Sequence, residues 1–223
     1  MATIRKITLI NGGIYHIFNR SIERKNIFNN VFDLKRAKSL IKYYKHTNIP
    51  IRFSKVIQQP IDIRQQILNN LYLSDKSVEI ISYNFMPNHF HFQLKQNVDK
   101  GISTFLSNFA NAYVKYFNTK YKRSGPLFEN AFKAVYIENE EQLIHLSRYI
   151  HINPVVSSMI KKEELESYPW SSYPEYLGLS DDAIVSKDII LDFFKSVKEY
   201  KEFVTDQIDY AKKLEEIKHL LLE

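Results

Sequence analysis

Met86-Pro87-Asn88-His89-Phe90-His91 places two imidazoles two residues apart, directly after a turn-forming Pro-Asn pair. Side chains alternate between the faces of a strand, so His89 and His91 share one face and Phe90 takes the other. Two imidazoles a strand repeat apart can chelate one divalent cation, which then needs at least one further ligand and open positions for substrate. The same spacing also suits a pair of surface histidines on a hairpin.

A second set lies on the segment Glu140 to Asn153, which reads as a helix. At 3.6 residues per turn, Leu143, Leu146, Ser147 and Ile150 cluster on one side. Tyr149 and Asn153, four apart, share a different side with His145 adjacent, whereas His151 projects away and is left out of the candidate set. A phenol with a pKa of about 10 is a weak nucleophile in water, but beside a metal-polarised phosphate it can attack phosphorus and form a phosphotyrosine. Asn153 offers a neutral oxygen ligand to the same metal, or else caps the helix before Pro154. Tyr149 is one of 15 tyrosines, and on these grounds alone a packing role fits it better.

A third set is Tyr113 to Arg123, where basic residues alternate with aromatics. Lys115, Lys120, Lys122 and Arg123 suit a nucleic-acid backbone, while Tyr113, Tyr116 and Phe117 follow the apolar helical period and belong to a core. Tyr168-Pro-Trp-Ser-Ser-Tyr173 is an aromatic turn holding the single tryptophan, read as a cover for the core.

The elements that must position these groups follow from periodicity. Ile14 to Asn19 reads as a strand after Gly12-Gly13, and Asp33 as the N-cap of a helix to about His46. Ile49 to Ile57 has strand character and Pro60 to Leu73 helical spacing. Val78 to Phe85 and His89 to Lys95 form a hairpin about Met86-Pro87-Asn88. A helix opens at Ile102 or Ser103, Phe132 to Ile137 is another strand, and Pro154 is expected to terminate the helix from Glu140. The order β, α, β, β, α, β, α predicts an α+β fold of the ferredoxin-like split βαβ kind, an antiparallel sheet with helices on one face. Residues 187–223 add two amphipathic helices, the last marked by Ile208, Ala211, Leu214, Ile217 and Leu221.

Composition bounds the function. The chain of 223 residues is 44% hydrophobic and 25% charged, which excludes disorder as its main state. Its net charge of +6 divides unevenly: residues 1–180 hold 24 basic and 14 acidic groups, and residues 181–223 hold 7 and 11. A basic body suits a polyanionic partner. The absence of cysteine excludes disulfides, thiolate metal sites and cysteine nucleophiles. No apolar run reads as a signal peptide or a membrane span, so a cytoplasmic protein is expected.

Taken in order, His89-Phe-His91 after Met-Pro-Asn, Gly125-Pro-Leu-Phe128 with Phe132-Lys133, Arg148-Tyr-Ile-His-Ile-Asn-Pro-Val155 and Tyr168-Pro-Trp-Ser-Ser-Tyr173 resemble the single-tyrosine HUH transposases, in particular the REP-associated branch. The resemblance covers about residues 10–178 and implies a catalytic domain over 1–178 with an acidic helical extension over 179–223. It implies a nuclease and strand transferase that binds single-stranded DNA beside a hairpin and needs Mg2+ or Mn2+. Carried over, His89 and His91 are metal ligands, Asn153 the third ligand and Tyr149 the nucleophile that takes the 5′ phosphate. Lys133 joins Lys115, Lys120, Lys122 and Arg123 as a DNA contact, although Ala131 stands where the family usually has arginine. The resemblance leaves both a monomer and a homodimer open. Segment 48–77 is longer than the family's usual connection. A DNA-binding regulator on the same fold, without chemistry, is the alternative.

Overall fold

The computed structural model describes residues 7–129 and 131–220, with side chains as far as residue 214. Four strands, β1 (Ile14–Arg20), β2 (Val78–Met86), β3 (His89–Gln96) and β4 (Lys133–Tyr136), form one antiparallel sheet in the order β2-β3-β1-β4. That order is the split βαβ arrangement, with the two early-paired strands β2 and β3 flanking β1 on one side. The β2–β3 turn at Pro87 and Asn88 is tied to the loop after β1, because the Pro87 carbonyl accepts from Ile27 and Phe28 N–H and the Asn88 carbonyl from Ser21 N–H.

Alternation sorts the strand residues into two apolar layers. Tyr15 and Ile17 of β1, Tyr83 and Phe85 of β2, and Phe90, Phe92 and Leu94 of β3 face a core shared with α1 (Val31–Tyr44) and α4 (Gly101–Lys120). The helical segment 48–77 continues that layer as α2 (Phe53–Val56) and α3 (Ile61–Tyr72). On the reverse face lies α5 (Glu140–Val156), held by Ile81 of β2 and by Leu143, Ile152 and Val155 of its own. The expectation of helices on one face is therefore corrected. Strands β2 and β3 are buried on both sides, including the polar Ser82, Asn84 and Gln93, and a sheet covered on both faces needs a helix on each.

Three local expectations also change. The N-cap of α1 is Asn30, whose side-chain oxygen accepts from Phe32 and Asp33 N–H, and Asp33 is instead fully buried against Lys120, Tyr116 and Tyr121. No strand forms over 49–57, where Phe53 and Val56 turn inward on the short α2. Helix α5 runs through Pro154 to Val156, since a proline so close to the end costs one backbone bond while Ser157 N–H still closes on the Asn153 carbonyl.

Beyond α6 (Tyr173–Tyr176), the chain adds α7 (Asp188–Leu191), α8 (Val197–Thr205) and α9 (Ile208–Leu220), three helices where two are expected. Ile190, Tyr200, Val204 and Ile208 complete the core around α5. The side chain of Ile217 and all of Leu221 lie outside the described residues. Residues 170–172 and 186 bond to the outer edge of β2 through Trp170, Ser172 and Ser186, which covers an edge that would otherwise offer unpaired backbone groups.

Candidate active site

The hairpin strand β3 sends His89, His91 and Gln93 toward α5, because Phe90, Phe92 and Leu94 take the opposite core. Gln93 anchors the helix: its Nε2 donates to the Leu143 carbonyl at 2.8 Å, and its Oε1 accepts from Ser82 Oγ at 2.9 Å. Two turns further along α5, the ring of Tyr149 stands edge-on to His91, with centroids 5.6 Å apart at 89°. Tyr149 is 46% exposed, so its ring packs against the sheet while the residue remains open to solvent. Helix α5 thus runs antiparallel to β3, and Asn153, one turn beyond Tyr149, lies toward the His89 end.

His16 of β1 completes the cluster. Its ring stacks on His91 at 5.2 Å and 21°, with Nε2 2.9 Å from His91 Nδ1, and it meets Tyr149 edge-on at 6.1 Å. Sequence reasoning passes over His16, a lone histidine on a first strand. The available signal is its alternation with the core residues Tyr15 and Ile17, which assigns it to the same sheet face as His91. On the other side, His89 Nδ1 is 2.6 Å from Asn88 Oδ1, and the two ligand candidates face each other edge-on at 5.0 Å.

Burial dominates the protonation of these rings. It holds His16 and His89 down to about 4, with Arg20 adding to the effect on His89. His91 falls to about 2, through burial first and then the neighbouring His16, His89 and Arg20. All three are therefore neutral at pH 7, the form that offers a lone pair to a metal. The Nδ1 of each ligand candidate is already engaged, and among the described residues no hydrogen bond reaches either Nε2. A ring nitrogen oriented by a partner on its other side is the arrangement that metal-binding histidines adopt. Among the described residues no group of three His, Asp or Glu side chains is placed to hold a metal ion, and the amide of Asn153 is the further donor on the helix face of Tyr149. The donor set fits a divalent cation that keeps open positions.

Of the other sequence-predicted residues, Lys133 comes near the cluster and the rest lie elsewhere. Lys133, next to Phe18 with its Nζ 5.8 Å from that ring, stands at the rim of the histidine cluster. Arg123 is folded onto Asn118 and the Pro126 carbonyl at the end of α4, and Lys122 is exposed beside it. Lys115 and Lys120 face the α1–α4 layer, on the far side of the sheet. His151 is fully buried between Ser172 Oγ at 2.7 Å and the Tyr200 hydroxyl at 2.8 Å. It ties α5 to the Tyr168–Tyr173 segment and to α8. Trp170 packs against the main core, in keeping with a cover.

The site thus sets paired histidines on a central strand of an antiparallel split-βαβ sheet with the tyrosine helix across it. The family model for IS200-like transposases matches residues 43–153, and the chain belongs to that family. A solved structure of a REP-associated tyrosine transposase bound to a REP hairpin is similar with a TM-score of 0.52 and 17% identity, covering 82% of this chain and 90% of that one. No curated protein matches the chain. Among the described residues no helix is long and apolar enough to cross a membrane.

Proposed function

We propose that this transposase is a metal-dependent single-stranded DNA endonuclease and strand transferase that works through a 5′-phosphotyrosine at hairpin-associated DNA. The observation that carries this reading is the Tyr149 ring set against His91, with the nucleophile and the ligand pair supplied by different elements. A Mg2+ or Mn2+ ion held by His89, His91 and Asn153 would supply Lewis-acid stabilisation of charge on the scissile phosphate.

The chain's own residues then account for the rest. The Tyr149 oxygen attacks phosphorus, the phosphorus–O3′ bond breaks, and the proton lost by the phenol is balanced by the one gained at the free 3′ hydroxyl. The phosphotyrosine keeps the bond energy, so a 3′ hydroxyl attacking it reverses the step without ATP. His16 and Asn88 keep His91 and His89 turned outward, and Lys133 at the rim offers a cation to the strand's backbone. The related structure holds a REP hairpin, which supports a hairpin-bearing substrate here.

The test uses labelled single strands taken from the DNA flanking the gene, with Mn2+ or EDTA, on denaturing gels. A metal-dependent covalent adduct is expected, and Tyr149→Phe abolishes it while leaving DNA affinity within about threefold, since only a hydroxyl is removed. Specific hairpin binding with bound metal and no adduct would transfer the assignment to a DNA-binding regulator.

A further inference from the structure

A cavity of about 790 Å³ opens between α1, α2 and α4. Five cationic side chains line it, Arg36, Arg52, Lys55, Lys115 and Lys120, and no aspartate or glutamate does. Lys120 is neutralised by the buried Asp33 at 2.6 Å. The other four have no ion pair among the described residues. The Arg36 guanidinium sits 5.3 Å from the Phe53 ring and 4.8 Å from the Tyr116 ring. Contact with two ring faces holds its plane and leaves its N–H groups uncommitted to any carboxylate.

The wall carrying Arg52 and Lys55 is built by the unusually long connection after α1. Tyr43 Oη donates to the Ile51 carbonyl at 2.6 Å, and Phe53 N–H donates to Tyr44 Oη at 3.2 Å. Those bonds fix the segment so that its two cations share one concavity with Lys115 of α4. Four uncompensated like charges around a concave surface repel one another and concentrate a field that an anion relieves.

We infer that this groove binds the phosphodiester backbone of DNA outside the stretch held at Tyr149, as a second contact region. Helices α1 and α4 cover the sheet face opposite α5, so the groove and Tyr149 lie on opposite sides of the sheet. A substrate that engages both must pass round the sheet edge, and the groove therefore acts on long substrates and not on the cleaved nucleotides. The inference relies on the proposed function only for the identity of the polymer.

The experiment measures binding of full-length protein to an unpaired 40-nucleotide strand and to a 20-base-pair duplex, in EDTA, across a salt series. Two triple variants are compared, R52Q/K55Q/K115Q in the groove and K195Q/K198Q/K212Q on the acidic extension, with melting curves confirming that both fold. In the groove variant the slope of log affinity against log salt is expected to become shallower by about 2 on the single strand or about 3 on the duplex, with affinity at least about tenfold weaker. The probe showing the larger change identifies the source of the phosphates. Equal slopes in the two variants, or a wild-type protein that binds neither probe, would overturn the groove. Adduct formation is scored separately, so an absent adduct sinks the enzyme reading alone.

Discussion

Burial draws His91 down to about 2 and leaves it uncharged across the whole range in which DNA chemistry is assayed. What then determines its usefulness is which nitrogen carries the proton. Nδ1 faces His16 Nε2 at 2.9 Å, and if Nδ1–H donates to that nitrogen, His91 Nε2 is left with its lone pair. Loss of the acceptor frees the ring to rotate or change tautomer. We predict that His16→Ala weakens Mn2+ binding by about 10- to 100-fold in calorimetry, whereas His16→Gln, which still presents an acceptor, restores most of it. In the metal-free protein, imidazole 15N shifts should show His91 changing tautomer in the alanine variant alone. An unaltered affinity in His16→Ala would reduce the residue to packing.

At the scale of elements, the position of Tyr149 depends on what grips α5. His151 is pinned through both ring nitrogens, and Arg148 reaches the Phe203 carbonyl at 3.2 Å and Asp206 at 3.3 Å. Tyr200→Phe removes one hydroxyl but leaves a buried imidazole nitrogen unpaired, so it should lower stability in urea by about 1–3 kcal/mol. A loss below about 0.3 kcal/mol would mean that the Tyr200 bond contributes nothing to holding α5.

These elements were unequally legible. The β2–β3 hairpin could be read because Pro87-Asn88 separates two strand-like runs, and α4 because its phenylalanines and tyrosines keep a helical period. The sheet face taken by α5 could not, since periodicity defines an apolar stripe and says nothing about which of two buried surfaces it meets. A β-bulge between Ile80 and Ser82 adds to this by turning Ile81 to the α5 side. Asn30 and Asp33 are both good caps three residues apart, and the choice between them was made by Lys120 and Tyr121, more than 80 residues away. At the site, Tyr149 with Asn153 and His89 with His91 were visible as local spacings. His16 depends on a pairing of β1 with β3 that no local pattern reveals.

For the whole molecule, the neutral buried histidines set a pH dependence. His91 at about 2 and His151 at about 3 lie below the ordinary histidine value. As pH falls below about 6.5, the unfolded chain takes up protons on both residues while the folded chain does not. Their contribution is therefore fully present above about 6.5 and lost progressively toward the folded values, by up to about 1.4 kcal/mol per pH unit for each histidine. The urea midpoint of the metal-free protein should hold from pH 7.5 to about 6.5 and fall from there to pH 5, and a His151→Gln variant should show a shallower fall. A flat profile would place these rings in contact with solvent. Glu175, raised by burial, opposes the trend with a single group.

The grip of α8 and α9 on α5 has a consequence for kinetics. Through Arg148, His151 and the shared core, the tyrosine helix is packed against the histidine strand of its own chain. One polypeptide thus supplies both Tyr149 and the histidines of the proposed centre. For the proposed reaction this predicts that adduct formed per molecule stays constant across a protein dilution series, and a yield that falls on dilution would show that a second chain contributes to the centre.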